Sequence, residues 1–211
     1  MSAQSKIWAA GLLVVTAVAT AAFMPAPRVA LAASTSGPTY NDKGELQAPA
    51  NYREWVFLTS GIDMSYSPKA EMAGSSMFDN VFVNPEAYRS FMVTGTWPDK
   101  TMLVMEARGA QTKGSINKSG HFQSVGVMDM EVHVKDEARF KGKWAFFSFD
   151  GAKGNGTLIP QGAPCYTCHQ AHAAVDTTFV QFYPTLLPVA HEKRTLSAEF
   201  LKDEAEHRGG K

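Results

Sequence analysis

Short segments of alternating apolar and polar residues recur along the chain, and this is the pattern of half-buried β-strands. Residues 77–83 show it well, because Phe78, Asn80 and Phe82 fall on one face of an extended chain and the residues between them on the other. Residues 128–135 repeat the pattern, so one buried and one solvated face is expected there. Five segments are predicted to be strands: 56–60, 77–83, 101–107, 122–134 and 144–149.

Three further segments are predicted to be helices: 86–93, 165–174 and 196–207. The first has the clearest boundaries, since Asn84 can cap a helix, Pro85 suits the first helical position and Gly95 suits the end. The helices are interspersed among the strands. The predicted fold class is therefore α+β, mainly β, with an antiparallel sheet of about five strands and a few helices.

Residues 1–32 have the features of a secretory signal peptide. Lys6 gives a positive start, residues 7–24 are largely apolar, and Ala30-Leu31-Ala32 is a small-x-small cleavage site that permits cleavage after residue 32 or 33. An uncleaved membrane anchor is the alternative, because eighteen largely apolar residues reach the lower limit for a membrane span. The leader predicts export to the periplasm.

Length and composition fit one globular domain behind that leader. The chain has 211 residues, of which 45% are apolar and 19% are charged, so a sizeable core is expected. Residues 33–50 are predicted to be a polar linker and residues 51–211 a single domain whose two cysteines lie toward its C-terminal end. Basic and acidic residues are equal in number, and the leader holds two basic residues and no acidic one, so the mature chain has a net charge of −2. That balance predicts no nucleic-acid binding.

The chemistry of the chain is concentrated in the sequence C-x-x-C-H, formed by Cys165, Cys168 and His169. This is the attachment signature of c-type haem, in which two thiols bond to the porphyrin and the histidine ligates the iron. A structural zinc site needs further paired ligands, and these are the only two cysteines. A redox dithiol usually follows a strand, whereas a loop rich in Gly and Pro precedes this motif. The motif therefore predicts one covalent haem c with its iron, and the leader agrees, since bacteria attach haem outside the cytoplasmic membrane.

Several polar residues are candidates for the surroundings of the haem, each with a simpler alternative. Asp129 and Glu131 could act as general bases, but they share the strand face that is predicted to be solvated. His121 and His133 could be ligands or proton donors, and a solvated histidine is the alternative for both. His172 is expected to be exposed.

Three more residues have two interpretations each. Arg53 could pair with a haem propionate or with a surface carboxylate. Asp176 could accept a hydrogen bond from His169 Nδ1 or cap a turn. Met105 could be a sixth iron ligand, although it is one of ten methionines and could equally fill the core.

A β-rich body that precedes C-x-x-C-H is unlike the small helical electron carriers, in which the motif lies near the mature N-terminus. The sequence resembles the cytochrome P-460 / cytochrome c′-beta family over roughly residues 41–188. The segments that carry the resemblance are 41–46 (NDKGEL), 51–55 (NYREW), 83–88 (VNPEAY), 144–146 (WAF), the C-x-x-C-H motif, Asp176 and 182–186 (FYPTL).

The resemblance implies a mainly β fold, a homodimer, and one haem c whose five-coordinate iron is open on the distal side. In the P-460 branch a strand lysine is cross-linked to the porphyrin and the protein oxidises hydroxylamine. In the c′-beta branch the cross-link is absent, and an apolar, aromatic distal pocket binds NO or CO.

The position of that lysine separates the two branches. Alignment with the family puts it at Met105, and a thioether has no amine to attack a porphyrin carbon. The nearest lysines, Lys100 and Lys113, fall in turns on either side of the strand. This favours the c′-beta type, for which the predicted distal wall consists of Phe78, Phe82, Leu103 and Met105.

Three functions stay open at this point. The first is a cytochrome that binds or scavenges NO or CO. The second is an oxidoreductase that acts on hydroxylamine or nitric oxide, with a carboxylate or lysine at the distal face. The third is an electron-transfer cytochrome with a sixth protein ligand. The redox partner protein is not identified by any of the three.

Overall fold

A computed structural model describes residues 37–64 and 76–209. The predicted signal peptide and most of the loop between the first two predicted strands lie outside the described residues. Within the described ranges, none of the helices combines the length and the apolar character that crossing a membrane requires.

The described chain contains eight strands, four α-helices and two short 3-10 helices. The strands are β1 (Leu46–Gln47), β2 (Val56–Ile62), β3 (Met77–Val83), β4 (Met102–Gln111), β5 (Phe122–Gln123), β6 (Asp129–Lys135), β7 (Trp144–Asp150) and β8 (Asn155–Leu158). The α-helices are α1 (Pro85–Thr94), α2 (Pro164–His172), α3 (Leu187–Lys193) and α4 (Ala198–Gly209), and the 3-10 helices are Tyr52–Glu54 and Val180–Phe182.

One antiparallel sheet organises the domain. Its strand order is β1-β8-β7-β6-β4-β3-β2, and β5 pairs with β4 outside this path. The prediction of an α+β, mainly β fold with an antiparallel sheet is confirmed, although the sheet has more strands than the five expected. Strand β6 lies at the centre, between β4 and β7.

The two faces of the sheet bury different side chains. On the face that we call the packing face, apolar residues of the central strands form a core with the segment before β2: Leu46, Tyr52, Trp55, Phe82, Met102, Val104, Met130, Val132, Val134, Ala145, Phe147 and Phe149. Burying each large apolar side chain contributes about 1.5–3 kcal/mol, so this core is a main source of stability.

The opposite face, which we call the site face, is covered by helices. Part of it joins a second core with α1, α3 and α4, in which Phe91 and Trp97 are fully buried with ring centroids 4.3 Å apart. The rest of the site face, near the middle of β3, β4 and β6, is not filled by these helices. It forms one wall of the cavity described below.

Helix α1 begins and ends where the sequence predicts, but Asn84 acts differently from a cap. Gly95 terminates the helix in the left-handed region at φ 73°, and its N–H donates to Phe91 O. The Asn84 side chain makes no capping hydrogen bond. Its Oδ1 instead accepts a hydrogen bond from Met102 N at 2.8 Å, which ties the start of α1 to β4.

The long predicted strand 122–134 is divided in the structure. Residues 124–128 separate β5 from β6 and belong to neither strand. Arg108 Nη1 donates hydrogen bonds to the carbonyl groups of Ser124 and Val125, which turns these groups away from strand pairing. A charged side chain on the neighbouring strand therefore ends β5, and the alternation along 122–134 could not show this.

Other elements arise in segments that were predicted to be loop or linker. Strand β1 lies within the predicted linker 33–50, and its Leu46 is fully buried. Strand β8 forms because Gly151 and Gly154, both at positive φ, turn the chain back along β7. Helix α3 and the 3-10 turn at residues 180–182 were not among the predicted elements.

Candidate functional site

A cavity of about 400 Å³ lies between the site face and the C-x-x-C-H segment. The sheet contributes one wall: Thr59, Gly61, Asp79, Val81, Leu103, Met105, Glu131, His133 and Phe146. Helix α2 and the chain after it contribute the other: Pro164, Cys165, Cys168, His169, Thr178, Phe179, Phe182 and Tyr183. Met64 also lines it. Its size is in the range of cofactor and ligand sites.

Strand register explains why these sheet residues meet. Val81 and Glu131 are both paired with Met105, and Leu103 is paired with His133, which in turn pairs with Phe146. Side chains at paired positions lie on the same face. A register shift between Phe57 and Thr59 then brings Thr59 of β2 opposite Val81 and onto the same wall.

The two cysteines and the histidine of the motif all line this cavity. Helix α2 begins at Pro164, so Cys165 and Cys168 fall three residues apart in its first turns and face the same side. Both are half-buried and neither is in a disulfide. The helix thus presents two thiols and an imidazole to one space.

His169 is held in one orientation. Its Nδ1 lies 2.7 Å from Thr177 O, and because a carbonyl only accepts, Nδ1 carries the proton and Nε2 is the nitrogen left for a metal. The rings of Phe179 and Phe146 lie 4.1 and 4.6 Å away, centroid to centroid. Burial lowers the pKa of His169, partly offset by the bond to Thr177, so the imidazole is neutral as a metal ligand must be.

His133 is buried, so the prediction of a solvated histidine is wrong. It stacks on Phe146 at 3.9 Å, and its Nε2 lies 3.2 Å from Thr177 Oγ1. Burial, with the neighbouring His169 second, lowers the pKa of His133 well below its ordinary value. The site face of β6 is therefore buried at His133 and Lys135, because the segment after α2 covers these two residues, whereas Asp129 on the same face is exposed.

Two carboxylates line the sheet wall of the cavity, Glu131 and Asp79. Burial raises the pKa of Glu131, and the negative charges of Asp129 and Asp79 add to the effect. Burial also raises the pKa of Asp79, with Asp63 second. Asp129, the other predicted base, is exposed at the start of β6 and is not part of the cavity lining. The wall thus carries proton-accepting groups within an otherwise largely apolar surface.

Of the four residues predicted for the distal wall, two line the cavity and two lie on the other face of the sheet. Leu103 and Met105 line the cavity. Phe82 instead packs on Tyr52 and Phe57 on the packing face, each at 5.6 Å between ring centroids, and Phe78 alternates onto the same face. The set of positions that contains the two phenylalanines of β3 was chosen from the sequence. The structure turns the set containing Asp79 and Val81 toward the cavity.

Arg53 does not line the cavity either. Its Nη2 lies 2.5 Å from Glu106 Oε2 on the packing face, where Glu106 is 1% exposed. The sheet therefore separates Arg53 from the C-x-x-C-H segment, and the propionate assignment is corrected to an internal ion pair.

The remaining candidates have other partners. Asp176 does not accept the His169 hydrogen bond, because its carboxylate pairs with Lys135 at 3.3 Å. His172 is exposed as expected, and its Nδ1 lies 2.8 Å from Asp203 Oδ2. His121 is exposed. Lys100 and Lys113 do not line the cavity, and none of the described residues that do is a lysine or an arginine.

Sequence reasoning missed Asp79, Phe146, Phe179 and the carbonyl of Thr177. Asp79 carried a usable signal, since an acidic residue inside an apolar strand needs a reason to be there. Phe146 and Phe179 carried none, because aromatic residues in a strand or before a turn are ordinary core residues.

The residues present fit a haem. Two thiols, a neutral imidazole with one oriented nitrogen, and flat aromatic and aliphatic walls converge on the same cavity. The sheet wall opposite the motif offers small and apolar side chains with two carboxylates, which leaves that side available to a small ligand.

Comparison with known proteins gives one family. The family model described as Cytochrome P-460 matches residues 49–180, a span that contains β2 to β8 and the whole C-x-x-C-H motif. No curated protein matches the chain significantly.

Proposed function

Because the chain belongs to the cytochrome P-460 family, which implies a haem cofactor, we propose that it is a monohaem c-type cytochrome whose haem occupies the cavity between α2 and the sheet. The observation that carries the proposal is that Cys165, Cys168 and His169 all line that cavity. The two thiols hold the porphyrin as thioethers, and His169 Nε2 ligates the iron.

Haem supplies an iron that binds a small molecule at its vacant position and exchanges electrons. The chain's own residues set what reaches that position. Thr177 fixes the His169 ring, Phe146 and Phe179 pack against it, and the sheet wall faces the other side of the cavity.

The wall formed by Val81, Leu103 and Met105 supports binding of NO or CO as the principal function. These three apolar side chains offer no hydrogen bond to bound O₂, which depends on such a bond more than NO or CO does, so NO and CO are favoured over O₂. The side chain of Met105 also supports this assignment, since a thioether cannot form the lysine cross-link of the hydroxylamine-oxidising branch.

Hydroxylamine oxidation is the second candidate, and Glu131 favours it. Oxidation of hydroxylamine releases protons along with electrons, and a carboxylate whose pKa is raised by burial holds a proton more tightly than an ordinary carboxylate does, so Glu131 is the candidate proton acceptor. The electrons pass to an external acceptor, such as a redox partner protein.

The optical spectrum of the purified holoprotein tests both candidates. We expect a ferrous spectrum of high-spin haem, an ordinary haem c spectrum after denaturation in pyridine, and a shift of the Soret band on addition of NO. A long-wavelength ferrous band that survives denaturation would contradict the assignment based on Met105 and favour the hydroxylamine enzyme. A low-spin spectrum that NO does not change would favour an electron carrier.

Two variants test the attachment. In Cys165→Ala/Cys168→Ala the haem should become extractable with acidified organic solvent, whereas in His172→Ala, a matched change on the same helix, it should stay attached. If haem stayed with the double variant under these conditions, the thioether proposal would be wrong.

We further propose that the protein is exported, with its leader removed, and that it forms a homodimer. The leader pattern and the family resemblance support these proposals. Intact-mass measurement of a periplasmic extract should give a chain starting at residue 33 or 34 with one haem added, and light scattering should give twice that mass. A retained leader would support the membrane-anchor alternative.

A further inference from the structure

The carbonyl that holds His169 belongs to a tight turn. Thr178 N donates to Val175 O at 2.9 Å, and Asp176, inside the turn, adopts the left-handed region at φ 53°. This geometry points Thr177 O at His169 Nδ1, 2.7 Å away. The orientation of the imidazole thus depends on the conformation of residues 175–178.

Each polar side chain of the turn contacts the body of the domain. Asp176 Oδ2 pairs with Lys135 Nζ at 3.3 Å, and Thr177 Oγ1 lies 3.2 Å from His133 Nε2. Thr178 Oγ1 accepts a hydrogen bond from Trp97 Nε1 at 2.7 Å. The turn is therefore fixed to β6 at two points, Lys135 and His133.

Lys135 is an unusual residue for this position, because its side chain is only 9% exposed. Its Nζ donates to Trp97 O at 2.7 Å and lies 5.7 Å from the centre of the Trp144 ring. The Asp176 carboxylate is its nearest anion, since Glu137 lies farther away at 3.6 Å and also pairs with Lys143. A buried cation thus neutralises the carboxylate next to the carbonyl that holds His169.

We infer that Lys135 and Asp176 are positioning residues for His169, which together set how strongly the Thr177 carbonyl draws on the imidazole proton. This inference rests on the proposed role of His169 as iron ligand. Hydrogen-bond partners of a ligating histidine control its basicity, and a more basic histidine favours the ferric state. Neutralising Asp176 keeps His169 bound to an uncharged acceptor and so keeps the reduction potential higher than an unpaired carboxylate would.

Substitutions that remove opposite charges should therefore shift the reduction potential in opposite directions. Asp176→Asn removes the negative charge, and asparagine tolerates the left-handed backbone, so the turn is preserved. The reduction potential should rise and the iron–histidine stretching frequency should fall. Lys135→Gln leaves Asp176 unpaired, so the potential should fall and the frequency should rise. The double variant should lie close to the unmodified protein.

The experiment is a spectroelectrochemical titration of the holoprotein, with resonance Raman of the ferrous form. We expect each single variant to change the ratio of ferrous to ferric protein at fixed potential on the order of threefold to tenfold, about 28 to 59 mV for a one-electron couple. Glu137→Gln is the matched control. It removes a carboxylate from the same lysine but outside the turn, so it should shift the potential much less.

Shifts of the same sign in both single variants, or no shift in either, would overturn the inference, because a purely structural role predicts no dependence on the sign of the charge. If Lys135→Gln does not fold, the inference is tested with Asp176→Asn and Asp176→Gly, because both variants remove the charge and both residues suit positive φ. Equal upward shifts would support the inference, and unequal or absent shifts would contradict it. An unmodified protein with bound haem but no iron–histidine band would overturn the proposed ligand itself.

Discussion

Glu106 is the residue whose replacement should cost the most stability without affecting the haem. It is 1% exposed on the packing face, and its carboxylate accepts hydrogen bonds from Tyr52 Oη at 2.6 Å and Asn80 Nδ2 at 3.1 Å. It also pairs with Arg53 at 2.5 Å and with Arg108 at 2.9 Å. Two cations thus share one buried anion.

The exposure of the two arginines determines how much stability each substitution should cost. Removing one partner of a buried ion pair costs about 3–5 kcal/mol, because the other charge is left without compensation. Arg53 is 49% exposed and can turn to water, whereas Arg108 is 12% exposed and cannot. For Glu106→Gln we therefore expect a loss of unfolding free energy at the low end of this range, about 3 kcal/mol. Arg53→Gln should cost about 1 kcal/mol, since its half-exposed charge is already screened by solvent.

Urea unfolding of the holoprotein measures both variants. With a dependence of about 2 kcal/mol per molar urea, the midpoint should fall by about 1.5 M for Glu106→Gln and about 0.5 M for Arg53→Gln. The Soret band and the reduction potential should not change in either, because both residues lie across the sheet from the cavity. A changed potential in Arg53→Gln would refute this reasoning and restore Arg53 as a partner of the haem propionates.

Two further outcomes are expected. Because burial raises the pKa of Glu131 above the ordinary value of 4.5, the folded protein binds that proton more tightly than the unfolded one, and this residue's contribution to stability is lost as pH rises through the raised pKa. Between pH 4 and pH 7 the urea midpoint of Glu131→Gln should fall less than that of the unmodified protein. Any hydroxylamine turnover should drop about 10²- to 10⁴-fold in the same variant. An unchanged rate would exclude Glu131 as the proton acceptor. Tyr166→Phe removes the hydroxyl that bridges Phe146 N and Ile159 O, each at 3.1 Å, and should cost about 1–3 kcal/mol in urea unfolding while the haem stays attached; no loss would mean that water replaces the hydroxyl.

The motif and the strand pattern could be predicted from the sequence because both depend on local spacing. The C-x-x-C-H motif is recognised from five adjacent residues without knowledge of the fold. Alternation along β3 and β6 correctly separated the residues of each strand into two faces. What alternation cannot give is which face meets the cavity. Phe78 and Phe82 were therefore assigned to the wrong side, since the face of β3 that carries the two phenylalanines packs on Tyr52 and the face that carries Asp79 and Val81 lines the site.

Long-range partners were equally beyond the sequence. Asp176 was proposed as a hydrogen-bond acceptor for His169, but its partner is Lys135, which lies 41 residues earlier on the central strand. His133 seemed solvated because its neighbours along the strand are charged. Tertiary packing overrode that local pattern by covering His133 and Lys135 with the chain after α2.

The alternation of side chains along β6 limits which changes of sequence such a protein can accept. Glu131, His133 and Lys135 occupy alternate positions, and the other set of positions, Met130, Val132 and Val134, lies in the core. A one-residue insertion or deletion at the start of this strand would exchange the two sets at once. The cavity would lose Glu131, Asp176 would lose its lysine, and three polar side chains would enter the core. New ligand chemistry on this scaffold can therefore arise by substitution at alternate residues of β6, but not by changing the strand's length.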